Sequence, residues 1–284
     1  PMDLEHVARL GKQGVLCLMA DSTNAEQPGY QISESDVGKE LDNLFAKLKG
    51  RIIIGTFASL ISRVQQIILL AKKYNRRVVV TGRSMRDNIE ITHQLGYLTV
   101  PPGVIVEENE FHKLPDEKLV ILCTGAQGEE NGALMRSAMG EHPFLDVKKG
   151  DTVIFSSSVI PGNERTVQTL KDSFARKGAT IIHYKFMDIH AGGHARQEDI
   201  KDFINLLKPK YFMPIESNRY VLDLNGRLAQ TVGIPEKNVF VADNGQVIEI
   251  SKTEGRLTEE RVPNDYVMVD GLGVGDVSEI VLRD

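Results

Sequence analysis

The sequence predicts an α/β fold built on a doubly wound parallel sheet. Two observations carry this. Short β-branched runs alternate with segments of helical periodicity, and the runs are apolar throughout, as strands covered on both faces by helices must be. A third observation adds the end that matters: each run leads into a loop rich in Ser, Thr and Gly.

The elements follow in order. Residues 15–19 form a short apolar run bounded by turn residues and read as a strand. Ser33 and Glu34 open a segment with apolar residues at Val37, Leu41, Leu44, Phe45 and Leu48; the spacing is helical and Gly50 stops it. Residues 51–56 read as a buried strand, 60–74 as a helix and 78–81 as a strand. Ser84 is expected to cap a helix reaching about Leu95. Strands follow at 119–123 and 152–155, a helix at 166–176 and a strand at 180–183. From about Lys210 short strands dominate, at 211–213, 239–241, 247–250 and 266–269. Asn244-Gly245 predicts a hairpin turn between the second and third of these. The domain change is expected between 188 and 209.

Composition bounds the function. The chain has 284 residues, 41% of them hydrophobic, and a net charge of −5, which argues against coating nucleic acid through bulk charge. No apolar run approaches the ~20 residues of a membrane helix, and no charged-then-apolar leader opens the chain, so a cytoplasmic protein without membrane contact is expected. The chain starts at Pro1 and finishes on an apolar run at 280–282, and both ends read as cut from something longer. Cys17 and Cys123 lie within apolar runs and are expected to be buried, reduced thiols.

The segment Asp188-Ile-His-Ala-Gly-Gly-His194 carries the most chemistry. Two imidazoles four residues apart flank glycines that let an anion approach the backbone N–H groups. The glycines argue for a loop rather than a metal-binding helix face. The plain alternative is an ordinary turn. The loops after the strands add weight: Ala20-Asp21-Ser22-Thr23-Asn24, Thr56-Phe57-Ala58-Ser59, Thr81-Gly82-Arg83-Ser84-Met85, Thr124–Glu129 and Ser156–Glu164. Ligands bind at the carboxyl ends of the strands in such sheets. Ser59, Ser84 and Asn163 each precede a helix, so capping explains any one of them; six such loops in register favour a polyanion cleft. No Walker loop and no Gly-x-Gly-x-x-Gly follows a strand.

These loops, in this order, resemble ribonuclease J, of the metallo-β-lactamase superfamily with a β-CASP domain. The resemblance covers essentially the whole chain and includes Gly50-Arg51-Ile52-Ile53, Cys123-Thr124-Gly125 and Gly273-Val274-Gly275-Asp276-Val277 with residues 280–284. It implies a doubly wound β-CASP domain at 31–199, inserted in an αββα metallo-β-lactamase core of which 1–30 and 200–284 are parts. It implies processing and decay of RNA, including rRNA, by 5′-to-3′ exonuclease and endonuclease action. Two metal ions, zinc or manganese, would activate water for attack on the phosphodiester. The partner implied is RNA with a 5′-monophosphate, and the assembly a homodimer or homotetramer.

By the same resemblance, Asp21 matches the acidic residue of the first β-CASP motif and His194 the histidine of the second, near the scissile phosphate. His190, Ala191, Gly192, Gly193 and His194 match the segment that grips the substrate phosphate, and Ser59 a phosphate-contacting serine. Glu216 falls where the family has a metal-binding histidine. The chain departs from the pattern in three ways. His-x-His-x-Asp-His is absent and is expected upstream of Pro1, so this chain alone is not expected to cleave RNA. Glu216 replaces a histidine, with Ser217-Asn218 in place of Gly-Glu. Gly192 stands for a serine and Leu60 for a polar residue. These departures sustain the alternative of a non-catalytic relative that binds RNA or partners; an unrelated small-molecule α/β enzyme rests on the sheet pattern alone. His93 and His112 are expected to be surface or packing residues, His142 stays open, and Arg63 faces either RNA or solvent.

Overall fold

A computed structural model describes residues 3–184, 187–267, 269–270 and 273–274. Along the chain, α1 (Leu4–Gln13) and β1 (Cys17–Asp21) come first, followed by α2 (Glu34–Lys47), β2 (Ile52–Gly55) and α3 (Ile61–Lys73). Next are β3 (Arg77–Thr81), α4 (Arg83–Gln94), β4 (Ile105–Val106), β5 (Leu119–Cys123) and α5 (Ala133–Met139). Then come β6 (Thr152–Phe155), α6 (Glu164–Arg176), β7 (Thr180–His183), α7 (Gln197–Leu207) and β8 (Tyr211–Ile215). The remainder holds α8 (Arg219–Thr231), β9 (Gln246–Ile250) and β10 (Gly255–Arg261), and Val269–Asp270 pairs antiparallel with Gly273–Val274.

The chain divides into two compact units, one made of Pro1–Gln31 with Gly193–Asp284, the other of Ile32–Gly192. The second passage between them lies at Gly192–Gly193.

The unit Ile32–Gly192 is the doubly wound α/β sheet that the sequence predicts. Its six strands are all parallel in the order β4-β3-β5-β2-β6-β7. Every residue of β2, β5 and β6 is buried. Successive side chains point to opposite faces, and the core divides accordingly. Ile52, Ile54, Val78, Val80, Val120 and Leu122 pack with α2, α3 and α4. Ile53, Val79, Ile121, Cys123, Val153 and Phe155 pack with α5 and α6. The strands enter through tight joints. A Cβ on Gly50 would lie 2.3 Å from the Gly150 carbonyl oxygen, so only glycine fits before β2. Beside it, buried Arg51 donates from Nε to Asp151 at 2.8 Å and from its terminal nitrogen to the Asp146 carbonyl at 2.7 Å.

In the other unit β1 and β8 pair in parallel, with Asp21 opposite Ile215. Phe212, Val221, Ala229, Ile200 and Ile204 form its core with Ala25. Residues 239–241 are not the strand expected: Val239 makes only an isolated bridge to Phe212. Asn244-Gly245 is a turn that leads into β9, not a hairpin turn between two strands. The hairpin joins β9 to β10 instead. Its connection is set by the Ser251 hydroxyl, which accepts from the N–H groups of Thr253 and Glu254 at 3.2 and 3.0 Å. Serine thus serves as the turn residue of the hairpin between β9 and β10. The 275–284 part of the last motif lies outside the described residues, as does the apolar run 280–282.

Candidate functional site

Asp21 and Glu216 stand at the carboxyl ends of neighbouring parallel strands. Asp21 is the last residue of β1, and Glu216 follows β8 directly. The Ser22 N–H donates to the Ile215 carbonyl at 2.9 Å and extends the pairing one step beyond β1. Oδ2 of Asp21 and Nδ1 of His194 are 2.8 Å apart. Oδ1 of Asp21 accepts from the Thr23 N–H at 3.1 Å and lies 2.7 Å from the Thr23 hydroxyl. That hydroxyl is also 3.0 Å from the Glu216 carbonyl.

Burial alone would raise the Asp21 carboxyl, but the Thr23 hydroxyl and N–H and the His194 ring together outweigh it and hold Asp21 below its ordinary value. An ionised Asp21 fixes the proton of the His194 ring on Nδ1, which leaves Nε2 pointing away to take or give a proton. With 54% of its side chain exposed, His194 is reachable by a large substrate. Gly193 adds room: a Cβ there would meet nothing within 4 Å.

The loop after β1 is organised throughout. Ser22 is fully buried and accepts from the Asn225 amide of α8 at 2.8 Å. The Asn24 amide donates to the His194 carbonyl at 3.3 Å. Thr23 and Asn24 lie in a loop that the sequence singles out without assigning either a role, and Asn225 escaped the sequence reading. One clue existed for Asn225, a polar residue in the stripe Val221, Leu222, Gly226, Ala229 that α8 buries.

Glu216 has φ +61°, a conformation that L-residues rarely adopt, and its side chain is exposed. Its carbonyl, not its carboxylate, joins the Asp21 network. Among the described residues no group of three or more His, Cys, Asp or Glu could hold a metal. Asp21, His194 and Glu216 therefore do not by themselves constitute a metal centre.

In the unit Ile32–Gly192 the loops after β2 and β6 meet the start of residues 188–194, which are a loop, as the glycines imply. Arg63 is fully buried, contrary to the expectation that it faces RNA or solvent. Its guanidinium donates to Glu34 at 2.8 and 3.1 Å and to the Ile189 carbonyl at 2.6 Å, and it also bonds the Ser156 hydroxyl. Ser156 in turn donates to the Ile189 carbonyl at 2.6 Å. This clamp presents His190, whose ring lies edge-on to Phe57 and Tyr184 at 6.4 and 6.5 Å between centroids. Burial first, and the Arg63 charge second, pull His190 below the ordinary histidine value, so it is a neutral imidazole at pH 7. Its Nδ1 is buried without a partner among the described residues. Ala191 packs beside it on the sheet core.

The capping explanation of the loop serines fails where it can be checked. The helix after Ser59 has Leu60 at its N-cap, the helix beginning at Arg83 has Gly82, and neither has a side-chain cap. Asn163 occupies the N-cap of α6 without making the bond. Ser59 is exposed, and its hydroxyl is left free among the described residues. By contrast, Ser33 does form a capping box with Asp36. His93 is an exposed residue bonded to the Leu98 carbonyl, and His112, also exposed, lies edge-on against Phe111.

The family model described as ribonuclease J, beta-CASP domain, matches residues 49–174. Ribonuclease J 1 of Streptococcus pyogenes is 42% identical over the whole chain, which covers 50% of that relative. Ribonuclease J of Synechocystis is 41% identical over 99% of the chain and 44% of its own length. Ribonuclease J2 of Bacillus subtilis is 36% identical over 99% of the chain and 50% of its own length. The chain thus spans about half the length of the curated relatives it matches. Residues 49–174 thus form a β-CASP domain of ribonuclease J type, in a chain similar along its entire length to proteins named ribonuclease J.

Proposed function

We propose that the protein is a metal-dependent ribonuclease that hydrolyses phosphodiester bonds in RNA, and that Asp21 and His194 are its proton-handling pair. The observation that carries this reading is the 2.8 Å contact between Asp21 and His194 at the carboxyl end of β1, in a chain similar throughout to proteins named ribonuclease J. Asp21 balances the charge when His194 takes a proton, as an ionised carboxylate hydrogen-bonded to the ring does. His194 Nε2 then donates to the phosphate or to the leaving oxygen. Within the unit Ile32–Gly192, Ser59 and the backbone at 190–192, held by the Arg63 clamp, are assigned separately as phosphate donors.

Zinc or manganese would supply hydroxide by lowering the pKa of bound water. The described residues do not assemble the ligand set for it, so the chemistry assigned to this chain is limited to proton transfer and phosphate binding. We assign 5′-to-3′ attack on 5′-monophosphorylated RNA as the main activity, with endonuclease action beside it, in a cytoplasmic homodimer or homotetramer.

The test is cleavage of a 5′-monophosphorylated RNA by the full-length protein with added zinc or manganese. Metal-dependent shortening that falls on the order of a hundredfold or more in His194→Ala supports the reading, the usual weight of a general acid–base group. One observation favours a second reading, a non-catalytic RNA binder: the Glu216 carboxylate does not converge with Asp21 and His194 on a common metal position. RNA binding with no cleavage under any metal would establish that alternative.

A further inference from the structure

The β3 and β5 strands are neighbours in the sheet, yet their chains leave to opposite faces. α4, after β3, packs through Met85 and Ile89 on one side. α5, after β5, packs through Ala133, Leu134 and Met135 on the other. This is a topological switch point, where open parallel sheets leave a crevice at the carboxyl ends of the strands. A cavity of about 540 Å³ lies there, between Thr81 and Arg83 on one side and Arg136 and His142 on the other. Its size falls in the usual range of small-ligand pockets.

Its chemistry is cationic. Arg83 has no acceptor among the described residues. Among the described residues, the Arg136 side chain donates only to the Glu141 carbonyl, at 3.2 Å. Arg86 is paired with Glu108 at 3.0 Å, so one of three positive charges in the crevice is neutralised. Nδ1 of His142 accepts from the N–H groups of Phe144 and Leu145 at 3.2 and 3.0 Å. The ring proton is therefore on Nε2, which donates to the Thr81 hydroxyl at 2.9 Å. Burial first, and Arg136 second, keep His142 below its ordinary value and so neutral. Thr81 is only 5% exposed. Its oxygen is engaged by His142, and its own proton has no acceptor among the described residues. A buried donor without an acceptor is costly unless a ligand takes it. The first turn of α4 has no side-chain cap and leaves further N–H groups at the same place. Gly82 makes this geometry possible, since its φ is +103° and a Cβ would lie 2.6 Å from the Thr124 hydroxyl.

We propose that the crevice between β3 and β5 binds a phosphate-bearing ligand, with Arg83 and Arg136 pairing the phosphate and the Thr81 hydroxyl donating to it. The free phosphomonoester and the phosphate of an RNA chain share this chemistry. The inference rests on the sheet topology and this cavity, and stands whether or not the protein cleaves RNA.

The test is calorimetric titration of the full-length protein with adenosine 5′-monophosphate, and separately with a short RNA bearing a 5′-hydroxyl. An Arg83→Gln/Arg136→Gln variant, a Thr81→Val variant and a His194→Ala control are compared, each checked for unchanged thermal unfolding. The expected result is saturable binding of the monophosphate that weakens on the order of a hundredfold in the double variant, since two charge-assisted bonds are lost. It weakens less in Thr81→Val, and a loss confined to His194→Ala would place the ligand at the Asp21–His194 pair instead. Binding of RNA alone, weakened in the double variant, supports the same site with the RNA chain as the source of phosphate. If both ligands bind the double variant as they bind the native protein, or if only His194→Ala abolishes binding, the proposal is overturned.

Discussion

Asp21 keeps its charge because Thr23 and His194 surround it with donors, and that has a consequence in pH. The folded-state value lies below the ordinary carboxylate value. Its contribution to stability is therefore complete above about pH 4 and is lost as pH falls through the depressed value. The difference in thermal midpoint between native protein and Asp21→Asn should shrink as pH falls from about 5 toward 3; a difference that does not change over that range would contradict the hydrogen-bonded carboxylate. The same substitution should lower RNA cleavage about a hundredfold, because it removes the charge that supports a protonated His194. The cysteines differ in a way their similar apolar surroundings conceal. Cys17 is only half-buried, whereas Cys123 is fully buried and its thiol is pushed far up by burial. Under native conditions iodoacetamide should label Cys17 and spare Cys123; equal labelling of both would show that β5 opens.

At the level of elements, the central strands of the unit Ile32–Gly192 are anchored by a buried ion pair. Arg51 and Asp151 are 4% and 1% exposed, so Asp151→Ala strands a buried guanidinium at the entrances to β2 and β6. A loss of about 3–5 kcal/mol is expected, measurable by urea unfolding; a loss under about 1 kcal/mol would show the pair to be dispensable. Arg63→Ala should cost about 2–3 kcal/mol, less than a fully buried pair because Glu34 is 31% exposed. It should also release the His190 backbone, seen as faster amide exchange at residues 189–191. The strands were legible in sequence because residues such as Ile52, Ile53 and Ile54 are apolar on both faces, a pattern with one reading in an α/β chain. The α5 helix was not, since seven residues after a glycine-rich loop show too little periodicity to be seen. Residues 239–241 misled because an apolar triplet that packs against β8 looks like one that pairs fully with a strand. Asn244-Gly245 misled because a turn dipeptide marks a turn but does not say which strands it joins.

Across the whole molecule, the sequence disclosed where chemistry collects but not how its parts are tied. The order of the Ser, Thr and Gly loops pointed to the carboxyl ends of the strands. The pairing of Asp21 with His194 across 173 positions could come only from the fold, as could the burial of Arg63. The crevice of Arg83, Arg136 and His142 was likewise hidden, because its residues come from the segments after two strands, Arg83 in α4 and Arg136 in α5, whose adjacency the order along the chain does not reveal. Glu216 is the position at which the two readings of the protein separate. Glu216→His should raise metal-dependent cleavage if a ligand is weakened there, and should leave a non-catalytic relative inert. The most direct measurement is single-turnover cleavage of a 5′-monophosphorylated RNA by the full-length protein and by His194→Ala, each saturated with zinc or manganese. The account predicts cleavage by the native protein and a loss on the order of a hundredfold or more in the variant, with RNA affinity nearly unchanged. Equal rates for the two proteins, or RNA bound tightly by both and cut by neither, would contradict it.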